Sequence, residues 1–453
     1  MNDQPAPIGA ARTVPWTVHV VADSDTRWKW GAALADRLSP NVPSIHGHLL
    51  QGRATPNDQQ LADVGARAET VRRVGIAQLL ADLRETDAEV VVLSCVGGTI
   101  QSLLQGLARV WAGRTRRPLV VTGYVGVVYE RLVDGLLLRA GADVVLANSA
   151  SDARRFREVF AAVGVDPDSV VQTALPFLGG EPHDPTAAGR TRPFTVTFVA
   201  QPSVPSTREE RRYALGEAVT HAVAHPDRHV IVKLRGRVGE QTTHVERHHY
   251  ADLLPADEVP LNVEIAYGQM ADVLDRTDLC VTVSSTAALE AMHRDIPTAI
   301  LTDFGVRESL GNHVFLPSGA LTSWSALHAG DVPKTDPDWA TDNGARDPAP
   351  YEAVQARLAE LVAERDARPA LRPWFRPEIA PHYLPKLLQR NGIGPDGAPL
   401  VDDPAWRAAD PGLRRRLMRA GARRMYRLGV RTFTRSEERR VGKECRSRWS
   451  PYH

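Results

Sequence analysis

Short apolar runs rich in β-branched residues recur along the first half of the chain: TVHVVAD (17–23), AEVVVLSC (88–95), PLVVTG (118–123) and ADVVLANS (142–149). They do not alternate apolar with polar, so each predicts a strand covered on both faces. Between them lie segments with helical spacing, such as TIQSLLQGLARVWAG and YERLVDGLLLRAG. Buried strands alternating with helices predict a parallel α/β sheet. The pattern stops at PFLGGEPHDPTAAGRTRP (176–193), a Gly-, Pro- and Thr-rich stretch without periodicity that reads as a linker. It resumes with FTVTFVAQ (194–201), a helix near 207–224, HVIVKLRG (229–236), LCVTVSS (279–285) and TAILTD (298–303). Residues 330–350 read as an irregular excursion before a last helical region from about 351. The expectation is an α/β protein of two doubly wound, Rossmann-like domains, 1–180 and 181–375, followed by a helical extension, 376–434. In such folds ligands bind in the crevice outside the carboxyl ends of the strands, here a cleft between the two sheets.

The last stretch, RSEERRVGKECRSRWSPYH (435–453), matches the codon-for-codon translation of a common short-read sequencing adapter and is set aside from fold reasoning. It carries six basic and three acidic residues, so without it the formal net charge of +1 becomes −2. A balance near zero gives no reason to expect nucleic acid as a partner. No run of eighteen apolar residues is present, and the first residues lack the charged and apolar regions of a signal peptide, so a cytoplasmic location is expected. Cys95 and Cys280 fall in apolar runs, as reduced, packed thiols do.

Candidate chemistry concentrates in SSTAALEAMHRDIPTAI (284–300). Ser284, Ser285 and Thr286 stand at a strand-to-helix turn, where unpaired N–H groups and hydroxyl donors suit a phosphate. Glu290 follows a few residues into the helix, where a carboxylate can accept from a vicinal diol such as ribose. The plainer reading is a serine N-cap on an ordinary helix.

This stretch resembles the C-terminal-domain signature of GT-B glycosyltransferases, in which a strand ends in small or hydroxyl residues ahead of a Glu-Ala-Met-type helix turn and a Pro-led strand. The Ser-Ser pair is similar to the motif of the sialyl-, Kdo- and glycerophosphate-transferring branches. More narrowly, the chain resembles a set of actinobacterial glycosyltransferases. The resemblance implies a GT-B fold, phosphate on Ser284, Ser285 and Thr286, and ribose on Glu290. Two departures stand out: the place of a second Glu in retaining members is Thr282 here, and the Lys-x-His-Pro of the charged branches is replaced by KLRGR (233–237), where Lys233 and Arg235 supply the cation.

On the acceptor side, VVADSDTRWKWGAAL (20–34) follows the first strand. Asp23 and Asp25 have the form of the metal-holding Asp-x-Asp of GT-A enzymes, but that motif belongs in a single-domain fold. In a GT-B layout this loop faces the acceptor, whose hydroxyl an inverting enzyme must deprotonate. Asp25 and Asp23 are the candidate bases, with Lys29 nearby and Glu130, in GYVGVVYER, as a rival. The competing reading is a helix N-cap at Asp25 or Thr26.

VGGT (96–99) is a second Gly-containing turn, and HVERHHY (244–250) reads as a helix face because no His/Cys/Asp/Glu set has tetrahedral zinc spacing. No metal or other cofactor is expected; the donor itself is a nucleotide-sugar co-substrate. The segment LRRRLMRAGARRMYRLGVR (413–431) is basic on one side and apolar on the other, which suits either packing across the domains or contact with an anionic membrane surface. The function expected is transfer of a sugar to a cell-surface glycan or lipid-linked acceptor. A nucleotide-sugar 2-epimerase of the same fold and a non-catalytic nucleotide-sugar-binding protein are the alternatives.

Overall fold

The computed structural model describes residues 15–39, 41–127, 132–240, 246–253, 259–347, 349–364, 366 and 368–400. Glu130, the basic stretch 413–431 and the adapter-like stretch 435–453 lie outside these residues.

The first sheet has seven parallel strands: β1 (Thr17–Ala22), β2 (Ser44–Leu50), β3 (Thr70–Val74), β4 (Val90–Ser94), β5 (Leu119–Thr122), β6 (Val144–Ala147) and β7 (Val170–Gln172). Their order is β3-β2-β1-β4-β5-β6-β7. The order reverses at β1, where Val18 pairs with Ile45 on one side and Val90 on the other. The apolar runs mark β1, β4, β5 and β6. They do not mark β2 (SIHGHLL), whose His46 and His48 both lie against His19 of β1, or β3 (TVRRV), a sheet edge that is mostly exposed.

The second sheet has six parallel strands: β8 (Phe194–Val199), β9 (Arg228–Lys233), β10 (Val263–Ala266), β11 (Leu279–Thr282), β12 (Thr298–Leu301) and β13 (Leu321–Thr322). They run in the order β10-β9-β8-β11-β12-β13, reversing at β8. Both sheets are therefore doubly wound, and each has its binding crevice at one switch point, outside β1 and β4 in the first and β8 and β11 in the second.

Helices cover both faces of the first sheet. Helix Gly97–Val110 contributes Leu103 and Leu107 to one core, beside Phe156 and Phe160 of helix Ala150–Ala162. Helix Asp25–Leu38 supplies Trp28, Trp30 and Leu34 to the other. Both cores are completed from much later in the chain. Helix Glu352–Ala363 buries Val354 and Leu358 beside Trp28, and helix Leu384–Arg390 buries Leu384 and Leu388 beside Leu103. Burial of each such side chain is worth about 1.5–3 kcal/mol. The chain thus leaves the first domain through 173–193 and returns through 343–351. The two crossings touch: Tyr351 Oη donates to Ala174 O at 3.2 Å and Gln172 Nε2 to Asp347 at 3.2 Å.

An aspartate just ahead of an inner strand anchors each domain. Asp143, before β6, takes both Arg117 guanidinium nitrogens at 2.7 Å and the Val120 N–H. Asp278, before β11, takes Arg192, His183 and the Thr195 N–H, pinning the end of the linker to the second sheet. Among the described residues no helix is long and apolar enough to cross a membrane, and Cys95 and Cys280 are free and buried.

Candidate active site

Helix Asp25–Leu38 begins where β1 ends. Its cap is Ser24, whose hydroxyl accepts from Arg27 N, rather than Asp25 or Thr26. That assignment leaves the two aspartates to other partners. Asp23 is fully engaged: Oδ1 takes Arg27 at 3.1 Å, and Oδ2 takes the Val96 N–H at 3.0 Å, which ties the end of β1 to the VGGT turn after β4. Asp25 points to the other domain, with Oδ1 3.5 Å from the Arg235 guanidinium, and Thr26 Oγ1 accepts from Arg235 as well.

Across the cleft, β11 runs into the hydroxyl turn. Ser284 is buried; its Oγ donates to Leu310 O at 2.5 Å, and its N–H donates to Gln201 Oε1 at 2.9 Å. Its hydroxyl is committed to holding two loops together. Ser285 Oγ accepts from Ala287 N at 3.3 Å, just ahead of Thr286, the N-cap residue of the short helix Ala287–His293. Thr286 stands against the first domain: a Cβ added to Gly126 would lie 2.8 Å from Thr286 Oγ1. Only a residue without a side chain fits between the two loops.

Glu290 and Lys233 are the electrostatic centre. Burial pushes the Glu290 carboxyl up to about 7, opposed by Lys29, Arg294 and Lys233. Burial pulls the Lys233 ammonium down to about 8, helped by Lys29 and Arg235 and opposed by Glu290. Lys233 Nζ donates to Leu234 O at 2.8 Å. Lys29, one turn into the first helix, acts on both groups and lies 5.7 Å above the Phe177 ring of the linker. Lys29, Arg294 and Lys233 thus act on the Glu290 carboxyl, and Lys29 and Arg235 act on Lys233. A group desolvated this far from its ordinary pKa, opposite specific charges in a cleft, is the physical mark of a site that handles charge.

The structure brings Asp25, Lys233, Arg235, Thr286 and Glu290 to one cleft, with Ser285 at its edge. It withdraws Asp23 and Ser284 into supporting bonds. Arginines matter more than the sequence indicates. Arg211, in the helix Arg208–Ala224, is buried; it donates to Pro205 O at 3.0 Å, Glu246 at 2.6 Å and Gln201 O at 2.9 Å, and stacks on Tyr250. It fixes the loop that carries Gln201, and Gln201 in turn holds Ser284. Nothing in the pattern REERRYALGEA marks that role. Glu246 and His249 lie in a turn, not on the helix face expected of HVERHHY, because Glu246 turns inward to Arg211 and His249 Nε2 donates to Gly236 O at 2.8 Å. Residues 244–245 of that stretch lie outside the described residues. Among the described residues no group of three or more His, Cys, Asp or Glu side chains is arranged to hold a metal ion.

Two Rossmann-like domains whose switch points face one cleft, with a hydroxyl turn and a buried glutamate on the second, define a GT-B-type protein. The chain belongs to the family described as "Putative glycosyltransferase (DUF6716)", which matches residues 18–361. Among solved structures it is similar in fold to a UDP-glucosyltransferase from Polygonum tinctorium capable of glucosylating indoxyl, in complex with 3,4-dichloroaniline, at 14% identity and TM-score 0.51, covering 79% of this chain and 99% of that one. It is also similar to a protein from Listeria monocytogenes described as a "putative UDP-N-acetylglucosamine 2-epimerase", at 12% identity and TM-score 0.50, covering 80% and 100%. No curated protein matches the chain.

Proposed function

We propose that this protein transfers a sugar from a nucleotide-activated donor to a hydroxyl of a glycan or glycolipid precursor of the cell surface. The observation that carries this reading is the convergence of Lys29 and Lys233 on Glu290, with Arg235 beside Lys233 and Asp25, at the point where both domains present their switch points. A leaving nucleoside diphosphate develops negative charge, and fixed cations in a desolvated cleft stabilise it without reorganising. In this scheme Lys233, Arg235, Ser285 and Thr286 take the diphosphate and Glu290 accepts from the ribose diol. Ser284 keeps the turn in place. Asp25 serves as the base that draws the proton from the acceptor hydroxyl, since Asp23 has both oxygens engaged. Binding of the diphosphate releases Asp25 by taking Arg235 from it. We place the work on the cytoplasmic side of a membrane, with the basic stretch 413–431 as the contact.

Mass analysis after incubating the full chain with UDP-, GDP-, CDP- and CMP-activated sugars and a mixture of glycan acceptors tests the reading. Free nucleotide with a mass-shifted acceptor supports it. An isomerised donor means a 2-epimerase of the same fold, and an unchanged donor that nevertheless binds means a nucleotide-sugar-binding protein.

A further inference from the structure

One exposed surface of the first domain carries cations that the fold leaves unpaired. Arg67, Arg72, Arg73, Arg109, Arg114 and Arg116 each have a carboxylate oxygen within 3.9 Å. Arg372, Arg376, Lys386 and Arg390 are exposed and have no carboxylate partner among the described residues. Glu378 is the single acidic residue from 372 to 390. Neither the donor scheme nor the acceptor base uses this segment.

Apolar side chains stand among these charges. The Ile379 and Ala380 N–H groups both donate to Arg376 O at 3.0 Å, closing a turn that leaves Ile379 43% exposed. Helix Leu384–Arg390 follows and buries Leu384 and Leu388 in the first domain's core. Tyr383, Lys386 and Arg390 fall at i, i+3 and i+7, so they share its outer face, and Tyr383 is 48% exposed. Single exposed apolar residues are ordinary on any surface; an isoleucine and a tyrosine set among four unpaired cations are a combination. The cations attract anionic headgroups. Ile379 and the Tyr383 ring enter the headgroup boundary, where a tyrosine keeps its hydroxyl wet. A nucleic acid would meet the cations but leave Ile379 in water.

The placement ties this surface to the cleft. Leu387 lies against Gly98, where an added Cβ would come within 2.9 Å of it, and Thr99 Oγ1 donates to Asn391 Oδ1 at 3.4 Å. The segment thus rests on the start of helix Gly97–Val110, next to the VGGT turn whose Val96 N–H is held by Asp23. We propose that Arg372, Arg376, Ile379, Tyr383, Lys386 and Arg390 dock the first domain on an anionic lipid bilayer, as a contact separate from the stretch 413–431. The docking stands on this surface alone; that it presents a lipid-linked acceptor to the cleft rests on the transferase reading.

The test uses the full chain and cosedimentation at low salt with vesicles of phosphatidylcholine containing one third phosphatidylglycerol, beside vesicles of phosphatidylcholine alone. We expect retention by the anionic vesicles and none by the neutral ones. Each cation near an anionic surface is worth about fivefold in partitioning, so Arg376→Gln, Lys386→Gln and Arg390→Gln together should lower it at least about tenfold. Ile379→Ser with Tyr383→Ser should lower it at least threefold. Melting curves of both variants should match the parent, since every changed side chain is exposed, and UDP affinity by calorimetry should stay within twofold. Failure of the anionic vesicles to retain the parent overturns the proposal, as does a loss confined to one of the two variants. Retention that both variants keep, and that only Arg414→Ser with Arg415→Ser and Arg416→Ser removes, assigns the membrane to 413–431 and overturns it as well. A change of sedimentation coefficient without vesicles in either variant gives the surface to a second copy of the chain, with the same result. If vesicles retain a protein that binds no UDP, the surface stands and the donor reading falls. If UDP binds and vesicles retain nothing, the donor reading stands and the surface falls.

Discussion

Replacing Glu290 with glutamine tests whether the cleft holds a carboxyl that resists ionising. Burial moves this group from its ordinary 4.5 to about 7. Each pKa unit corresponds to about 1.4 kcal/mol, so holding the carboxylate inside the fold costs on the order of 3 kcal/mol relative to the unfolded chain. The sign follows from proton counting. Between pH 4.5 and 7 the folded protein keeps a proton that the unfolded chain has released. The group's contribution is therefore fully present below 4.5 and is lost as pH rises through 7. Glutamine is isosteric and does not titrate, so Glu290→Gln should match the parent near pH 4.5 and exceed it by about 1–3 kcal/mol by pH 8. The shift to about 7 already includes the favourable pull of Lys29, Arg294 and Lys233. His19 and His48, held near 3 and 4 by burial, titrate with the opposite sign but alike in both proteins, and cancel in the difference. Denaturation followed by tryptophan fluorescence at pH 4.5, 5.5, 6.5 and 8 gives the difference directly. A gap that does not widen with pH would refute the buried-carboxyl picture and the electrostatic centre built on it.

Ser285→Ala should weaken UDP binding by about tenfold or more in calorimetric titration, since a hydrogen bond to a charged group is worth about 1.5–3 kcal/mol; unchanged affinity would remove Ser285 from the phosphate site. A bound diphosphate raises the Lys233 pKa above its free value of about 8, so UDP affinity should fall as pH rises through 8, and Lys233→Gln should flatten that slope. Gly344, at φ +81, would place a Cβ 2.4 Å from the Asn148 carbonyl oxygen, whereas Gly330, at φ +90, has open space around it. Both alanine variants carry the left-handed penalty of about 1–2 kcal/mol, but Gly344→Ala should lose at least about 1 kcal/mol more in urea unfolding, because the backbone it strikes cannot move aside.

How much of this the sequence carries depends on which residues do the work. Strands buried on both faces announce themselves, so β4 (VVVLS) and β6 (VVLA) are plain, as is the strand-to-helix turn that holds Glu290. Strands at the sheet margins do not, because β3 carries two arginines and β13 is two residues long. A position in the linear pattern says where Glu290 lies but not that it is desolvated, nor that Lys29, the charge opposing that burial, arrives from a helix more than two hundred residues earlier. Asp23 and Asp25 look equivalent in sequence. Only the fold separates them, by giving Asp23 the Val96 N–H and Asp25 the reach to Arg235. The return of the chain to the first sheet is likewise silent, since an amphipathic helix carries no record of which sheet its apolar stripe covers.

That return makes the first half of the molecule incomplete without the helices Glu352–Ala363 and Leu384–Arg390. A fragment ending in the linker would have every strand of the seven-stranded sheet, yet it would leave two grooves open, one over Trp28 where Val354 and Leu358 belong and one over Leu103 where Leu384 and Leu388 belong. Expressed by itself it would present oily seams and invite aggregation. A protease that nicked 180–192 in the intact protein would meet the reverse situation. The severed pieces would stay locked together, because the downstream piece still has two helices embedded in the upstream one. The protein has two sheets and two crevices, but it cannot be divided into two modules at its linker.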